Sequence, residues 1–181
     1  MNPGHANLPV LLSKWLCHDL ATPAATIFTA SELLGPVGDA EINGLVQNGA
    51  QRLVARLRLV RTAFAPGGAP VSGAALERLV RGGIDGTPLL WLHPTGSTGD
   101  MAALIAGAAM LLADLARNTP LIVSCSSVCW DSPRPLPGAV AAALGGADAV
   151  DGTSAVAALV AIAATRAGVV AAPIPNGVGW D

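Results

Sequence analysis

The residues best suited to chemistry in this 181-residue chain form one short run, Cys17-His18-Asp19-Leu20-Ala21-Thr22-Pro23. An imidazole is largely neutral near pH 7, so one ring nitrogen is free to act as a nucleophile. An imidazole that takes a phosphoryl group becomes a phosphoramidate, which keeps a high transfer potential. A lone histidine on a helix is usually structural, so a reactive role for His18 depends on the residues around it, which include an acid directly after it and a hydroxyl at Thr22.

Helical geometry places the neighbours of His18. Lys14 and Thr22 stand four residues before and after it, and positions four apart share one face of a helix. Lys14 could offset the charge of a phosphoryl group in transfer, and Thr22 could place a hydrogen bond near the reacting group. Either side chain could instead be an ordinary solvated one. Adjacent helix residues do not face each other, so we expect Asp19 to orient the ring indirectly or to contact a partner.

Two amphipathic helices are predicted to carry these residues. Apolar side chains recur at three- and four-residue steps from Pro9 to Leu34 and again up to Phe64, which is the helical period. Gly35-Pro36-Val37-Gly38 ends the first helix, and Asp39 suits the N-terminal cap of the second. Pro23 removes one backbone hydrogen bond and is expected to kink the first helix one turn after the histidine.

The second helix adds two arginines to the candidate site. In an antiparallel hairpin that turns at 35–38, the position level with His18 is near residue 55, so Arg52 and Arg56 stand close to its height. These side chains could meet an acidic partner surface. A solvated, solubilising helix face is an equally simple interpretation.

Two helices in a hairpin cannot by themselves bury such broad apolar stripes. The economical solution is that hairpins from two chains form a four-helix bundle. We therefore predict a homodimer. The alternative is that the second half of the chain covers the hairpin instead.

The run Ala65-Pro66-Gly67-Gly68-Ala69-Pro70 indicates a linker. We therefore divide the chain into a helical hairpin at residues 8–65 and a second domain at 71–181. In the second domain, helical segments alternate with strands predicted at Leu89–Leu92, Leu121–Cys125 and Val169–Ala172. The predicted fold class is α+β, with an antiparallel helical hairpin followed by a small α/β domain whose helices lie on one face of a sheet.

Composition narrows the classes of function. Hydrophobic residues make up 52% of the chain and charged residues 12%, which excludes a disordered chain. A net charge of −2 disfavours a general binder of nucleic acid or anionic membrane. Three cysteines without CxxC spacing indicate neither a disulfide framework nor a zinc site. With no signal-peptide pattern and no apolar run long enough to span a bilayer, we expect a soluble, cytoplasmic protein.

These segments together resemble the ChpT-type histidine phosphotransferases of alphaproteobacteria. The matching residues are Leu16-Cys17-His18-Asp19-Leu20, Pro23, Glu32-Leu33-Leu34 and the run from Ala55 to Phe64. The run from Thr26 to Ala30 departs from the family, which usually has an Asn-Gly pair there. The resemblance is specific over residues 10–65 and is architectural beyond them.

The resemblance implies a dimeric hairpin followed by a degenerate form of the histidine-kinase ATP-binding fold. It implies that a phosphoryl group passes from a receiver-domain aspartate of a hybrid kinase to His18, and then to an aspartate of a response regulator. On this interpretation the catalytic residues are His18, Asp19, Thr22 and Lys14, and the receiver contacts are Arg52 and Arg56. Mg²⁺ would belong to the receiver, and this chain would use no ATP, metal or other cofactor.

Two other functions stay open. An active histidine kinase would need an Asn-bearing helix for magnesium, yet the corresponding helix, Met101–Ala109, contains no Asn. It would also need an Asp-x-Gly-x-Gly loop, and residues 145–152 carry those letters in the wrong order. The non-enzymatic alternative is a dimeric adaptor that binds receivers without taking phosphate. An adaptor would tolerate replacement of His18, whereas a relay would not.

Overall fold

The structure, a computed structural model, describes residues 7–33, 40–65 and 67–181. It begins with two long helices, α1 (Leu8–Glu32) and α2 (Ala40–Phe64). Contacts join the start of α1 to the end of α2 and the end of α1 to the middle of α2: Trp15 to Phe64, Asp19 to Arg56 and Ile27 to Gly49. The helices are therefore antiparallel, as predicted. The turn predicted at 35–38, with Leu34 and the Asp39 cap, lies outside the described residues.

α1 runs without interruption through Pro23. Another proline, Pro9, lies in its first turn, where a missing N–H leaves no partner unsatisfied. Pro23 has no N–H to donate to the carbonyl of Asp19 one turn earlier. The helix therefore continues past the candidate site with one backbone hydrogen bond fewer, and the kink expected there stays a prediction.

The rest of the described chain is a mixed sheet with helices packed on it. The helices are α3 (Gly73–Gly83), α4 (Gly99–Leu115), α5 (Gly138–Leu144) and α6 (Gly152–Ala167). The strands are β1 (Leu89–Trp91), β2 (Leu121–Val123), β3 (Ser127–Trp130), β4 (Ala171–Ile174) and β5 (Gly177–Trp180). The strand order is β1-β2-β3-β5-β4, with β1 and β2 parallel and the other neighbours antiparallel. The predicted α+β class is confirmed.

Two of the five strands, β3 and β5, are absent from the sequence-based prediction, and β4 begins two residues after the predicted Val169. β5 has the sequence Gly-Val-Gly-Trp, and glycine is depleted from strands. The reason for one of these glycines is visible only in the sheet, because a Cβ at Gly179 would lie 2.9 Å from Cγ2 of Ile174 on the paired strand. Strand pairing, not local pattern, explains this segment.

α4 is the centre of the core. Every residue from Ala102 to Ala113 is buried, and the helix packs between α2 and α6 and against β2 and β3. Small residues permit this close packing, since a Cβ at Gly107 would lie 3.1 Å from Cγ2 of Val160. Although α4 is strongly apolar, no helix among the described residues is both long and apolar enough to cross a membrane.

The core also includes part of the hairpin. Leu59, Val60 and Ala63 of α2 belong to the same buried cluster as the residues of α4 and the sheet. The second half of the chain therefore covers one end of the hairpin. The boundary predicted between residues 8–65 and 71–181 stays a prediction, because the two segments share this core.

Candidate active site

A cleft of about 420 Å³ opens between the hairpin and the elements that follow it. α1 and α2 form one wall, and the segment after α3 and the end of α4 form the other. The polar lining consists of His18, Asp19, Thr22, Thr26, Arg52 and Arg56 on the hairpin side, and Asp85, Thr87, Asp114, Arg117 and Asn118 on the opposite side. Of the six residues singled out from the sequence, Lys14 is the one outside this lining.

His18 lies in the hairpin wall of the cleft with an exposed side chain. A partner can therefore approach the imidazole without any change in the core. Thr22 is exposed one turn later and lines the same cleft, and Lys14 is exposed one turn earlier. The catalytic roles of these residues stay predictions.

The Asp19 side chain points in a different direction from that of His18, as expected for adjacent residues of a helix. Its carboxylate accepts two hydrogen bonds from Arg56 of α2, at 2.8 Å from Nε and 3.0 Å from Nη2. The Asp19 side chain is 20% exposed and that of Arg56 is 12% exposed. This two-pronged pair fixes the orientation of both groups, because a planar guanidinium matches the two carboxylate oxygens.

Arg56 has three further contacts around the same guanidinium. Nη2 donates to Oδ2 of Asp114 at 2.6 Å, and Nη1 donates to the Gly83 carbonyl at 3.3 Å. The guanidinium also lies over the indole of Trp15, 5.7 Å from the ring centre. Arg56 is therefore bound internally, and it would have to leave Asp19 and Asp114 to meet a receiver. The sequence-based expectation for Arg56 did not foresee this, because Asp114 is far away along the chain.

Burial and charge shift the protonation equilibria of this group of residues. Burial raises the pKa of Asp114, and the nearby negative charge of Asp19 adds to this, against the opposing attraction of Arg56. Burial acts to lower the pKa of Arg56, but its bonds to Asp19 and the charge of Asp114 outweigh burial and raise it. Arg56 therefore stays charged, and one cation holds two carboxylates.

Arg52 differs from Arg56 in its accessibility. Its Nε lies 3.3 Å from Oδ1 of Asp85, and both side chains are 68% exposed. Such a pair contributes little to stability and exchanges partners easily. Arg52 is thus accessible to an acidic partner, and contact with a receiver stays a prediction for it.

The far wall of the cleft is built from two segments with unusual backbone conformations. Asp85 has a φ of 38° and Asn118 a φ of 64°, which is the left-handed region that Asp and Asn tolerate better than most residues. Both line the cleft, next to Thr87 and Arg117 respectively. Backbone conformations of this kind are frequent at functional sites, so this wall is a candidate part of the site.

Sequence patterns do not single out the residues of the far wall as a site. Asp114 carries the one available signal, since it is the charged residue that ends the apolar run Met101–Ala113. Its proximity to Asp19 depends on the packing of α4 against α2, which no local pattern reveals. Within residues 7–33, 40–65 and 67–181, no group of three or more His, Cys, Asp or Glu side chains could hold a metal ion.

The chain matches no protein-family model and no curated protein sequence. Its structure is similar to a solved structure described as a bacterial phosphotransferase. The two share 18% sequence identity, with a TM-score of 0.72 over 96% of this chain and 94% of the other. At this level of identity the likeness establishes a shared fold, which extends over both the hairpin and the sheet.

Proposed function

We propose that this chain is a histidine phosphotransferase of a multistep phosphorelay. His18 would take a phosphoryl group from the aspartate of a receiver domain and pass it to the aspartate of a response regulator. The observation that carries the proposal is the position of His18, an exposed nucleophile on a helical hairpin in the wall of a polar cleft. The fold that the chain shares with a bacterial phosphotransferase supports it.

In the transfer, the unprotonated ring nitrogen of His18 attacks the phosphorus of the aspartyl phosphate. A nitrogen–phosphorus bond forms while the phosphorus–oxygen bond to the aspartate breaks, and the electron pair leaves with the aspartate as a carboxylate. The ring proton stays on the opposite nitrogen, so no base has to remove a proton before attack. The second transfer reverses these steps on the response regulator. Any Mg²⁺ in the reaction would be held by the receiver.

The exposed neighbours of His18 have separate roles in this proposal. The ammonium group of Lys14 would offset negative charge on the phosphoryl group, and the hydroxyl of Thr22 would donate a hydrogen bond to it. Arg52 would contact the acidic surface of the receiver. All three side chains are exposed on the hairpin, so a docked receiver could reach them together with His18.

We also propose that two copies pair through the end of the hairpin that the second half of the chain leaves uncovered. Phe28, Leu33, Leu45 and Val54 are between 46% and 65% exposed there. Clusters of exposed large apolar side chains mark association surfaces. Pairing two hairpins through them would bury these side chains in a four-helix bundle.

The histidine-kinase alternative is disfavoured by the burial of α4. Residues Ala102–Ala113 are buried on all sides, so the helix that would correspond to the magnesium-binding helix of a kinase presents no face to a nucleotide. A receiver-binding adaptor would use the same hairpin surface without taking a phosphoryl group. The transfer experiment below separates the adaptor from the relay.

The test is phosphoryl transfer without nucleotide. The purified full chain is mixed with a hybrid-kinase receiver domain that carries radiolabelled aspartyl phosphate, and acid-labile label on the chain is measured. We expect label on the wild type and none on His18→Ala, because the acceptor atom is gone. Cys17→Ser is the matched control, since Cys17 is the exposed residue next to His18, and it should take label as the wild type does.

Circular dichroism checks that each variant is folded, which is expected because both substituted side chains are exposed. Equal labelling of wild type and His18→Ala would contradict the proposal. Receiver binding by the wild type with no label, repeated for the available receivers, would favour the adaptor.

A further inference from the structure

The carboxylate next to the acceptor histidine is held by a network that includes the second half of the chain. Asp19 is bound by Arg56, and the same guanidinium is bound by Asp114 of α4 and by the Gly83 carbonyl of α3. One side chain thus joins α1, α2, α3 and α4 at the level of the His18 turn. With 12% of its surface exposed, Arg56 is shielded enough for these bonds to hold a fixed geometry.

The backbone gives a reason why such a network is needed at this turn. Pro23 cannot donate the hydrogen bond that the Asp19 carbonyl would otherwise accept. The turn that contains His18 and Asp19 is therefore less constrained by its own backbone than the rest of α1. The bidentate pair from Arg56 to the Asp19 side chain supplies a constraint from outside the helix.

The approach of α3 to α2 is also specific to this point. A Cβ at Gly83 would lie 2.5 Å from Cβ of Leu59, so glycine lets the end of α3 come close enough for its carbonyl to reach Arg56. On α1, Trp15 packs under the guanidinium and against Gly152 at the start of α6. Contacts from α3, α4 and α6 thus meet the hairpin at Arg56 and Trp15.

We propose that Arg56 and Asp114 are positioning residues for phosphoryl transfer, through which the second half of the chain holds Asp19 and so the orientation of the His18 turn toward the cleft. The proposal rests on the proposed function of His18 as the acceptor. It assigns to the second half of the chain a role in the chemistry that doesn't require it to bind nucleotide. Neither residue touches the phosphoryl group, and both act through Asp19.

The test compares isosteric or conservative variants in the full chain. Asp114→Asn removes the charge and keeps the shape, and Arg56→Lys keeps the charge and loses the planar fork. Glu77→Gln is the matched control, because it breaks an exposed ion pair of α3 with Arg81. The rate of a single phosphoryl transfer at saturating labelled receiver is measured, together with the affinity for that receiver and the folded fraction.

We expect Asp114→Asn and Arg56→Lys each to lower the transfer rate about 10-fold with unchanged receiver affinity, because small misplacements of a reacting group have effects of this size. Glu77→Gln should transfer at the wild-type rate. The double variant should be no slower than the slower single variant, since the two residues act as one unit. Transfer at the wild-type rate by folded Asp114→Asn would overturn the proposal.

A second readout does not depend on transfer. The ring proton signals of His18 are followed by NMR and assigned with His18→Ala. Asp114→Asn should shift these signals, and Glu77→Gln should leave them unchanged. If the wild type takes no label from any receiver, the proposed function fails, and a shifted His18 signal would still support the positioning role. Unshifted His18 signals in Asp114→Asn would show that the network acts on stability alone.

Discussion

The two ends of the helical hairpin differ in what covers them. At the clamped end (residues 8–19 of α1 and 56–64 of α2), Trp15 and Arg56 pack against α3, α4 and α6. At the open end (residues 24–33 of α1 and 40–54 of α2), Phe28, Leu33 and Leu45 are more than half exposed, whereas among the described residues of the clamped end Val10, in the first turn of α1, is the one large apolar residue exposed to that degree. His18 stands where the two ends meet. The clamped end thus holds the turn of His18, the proposed acceptor, and the open end carries the proposed association surface.

The largest effect expected at the clamped end follows removal of its central cation. Arg56→Gln leaves two partly buried carboxylates, Asp19 and Asp114, without their shared partner, so we expect a loss of about 3 kcal/mol in the free energy of unfolding. Arg58→Gln, an exposed arginine two residues later, should change it by less than about 0.5 kcal/mol. Denaturant unfolding at one fixed protein concentration measures both. Equal effects would mean that the clamped end is not held by this network.

A smaller loss is expected where α3 meets α2. The Cβ of Gly83→Ala would lie 2.5 Å from Cβ of Leu59, a buried side chain that cannot move aside, so we expect a loss of about 2 kcal/mol. Gly82→Ala is the matched variant, because its Cβ would lie 3.6 Å from that of Ala55, an ordinary contact. It should be neutral or slightly stabilising. If Gly83→Ala is as stable as Gly82→Ala, the close approach at the clamped end is not required.

A charged substitution tests whether the open end is a surface for self-association. Phe28→Asp places a carboxylate among exposed apolar side chains, and we expect it to weaken self-association about 10-fold or more while the unfolding of the monomer is unchanged. Sedimentation over a range of concentrations measures the association constant. Leu90→Asp is the control, since Leu90 is a similarly exposed apolar residue on β1 at 53%. A wild type that is still monomeric at roughly tens of micromolar would contradict pairing at this end, because an interface of ordinary affinity would be occupied at that concentration.

The smallest expected effect is on the pH dependence of stability, and it comes from His93 in the second half of the chain. His93 is buried, its Nε2 lies 2.8 Å from Oγ of Ser97, and burial lowers its pKa. In the unfolded chain His93 has the ordinary histidine pKa of about 6.5. In the folded chain the ring takes up this proton only at lower pH. The neutral, buried ring of His93 therefore contributes stability above about pH 6.5. That contribution is lost as the pH falls through the lowered pKa.

We expect the Tm of the wild type to fall more than that of His93→Gln when the pH is lowered from 7.5 to 5.5. Thermal unfolding of both proteins at the two pH values checks this. Parallel changes in the two proteins would mean that His93 titrates alike in the folded and unfolded states. If lowering the pH changes the self-association constant and leaves the difference in Tm unaltered, the pH response belongs to the open end instead.

The differences between prediction and structure have a common cause. The pairing of α1 with α2 and the exposure of His18, Lys14 and Thr22 follow from helical periodicity, which is a property of neighbouring residues. β5 was missed because its glycines are explained by strands that come from elsewhere in the chain. The receiver contact predicted for Arg56 stays a prediction, and its contact with Asp114, which no local pattern predicts, depends on how α4 packs against the hairpin.

The two helices and the neighbours of His18 could be predicted from local patterns, because a repeat of 3.6 residues is a property of nearby residues. The short run Gly35-Pro36-Val37-Gly38 predicted their antiparallel arrangement. The folded chain was needed to show which end of the hairpin is covered, which carboxylates share Arg56 and which loops line the cleft. Those outcomes depend on residues separated by many positions in the chain, as Asp19 and Asp114 are, that are brought together by the burial of α4 in the core.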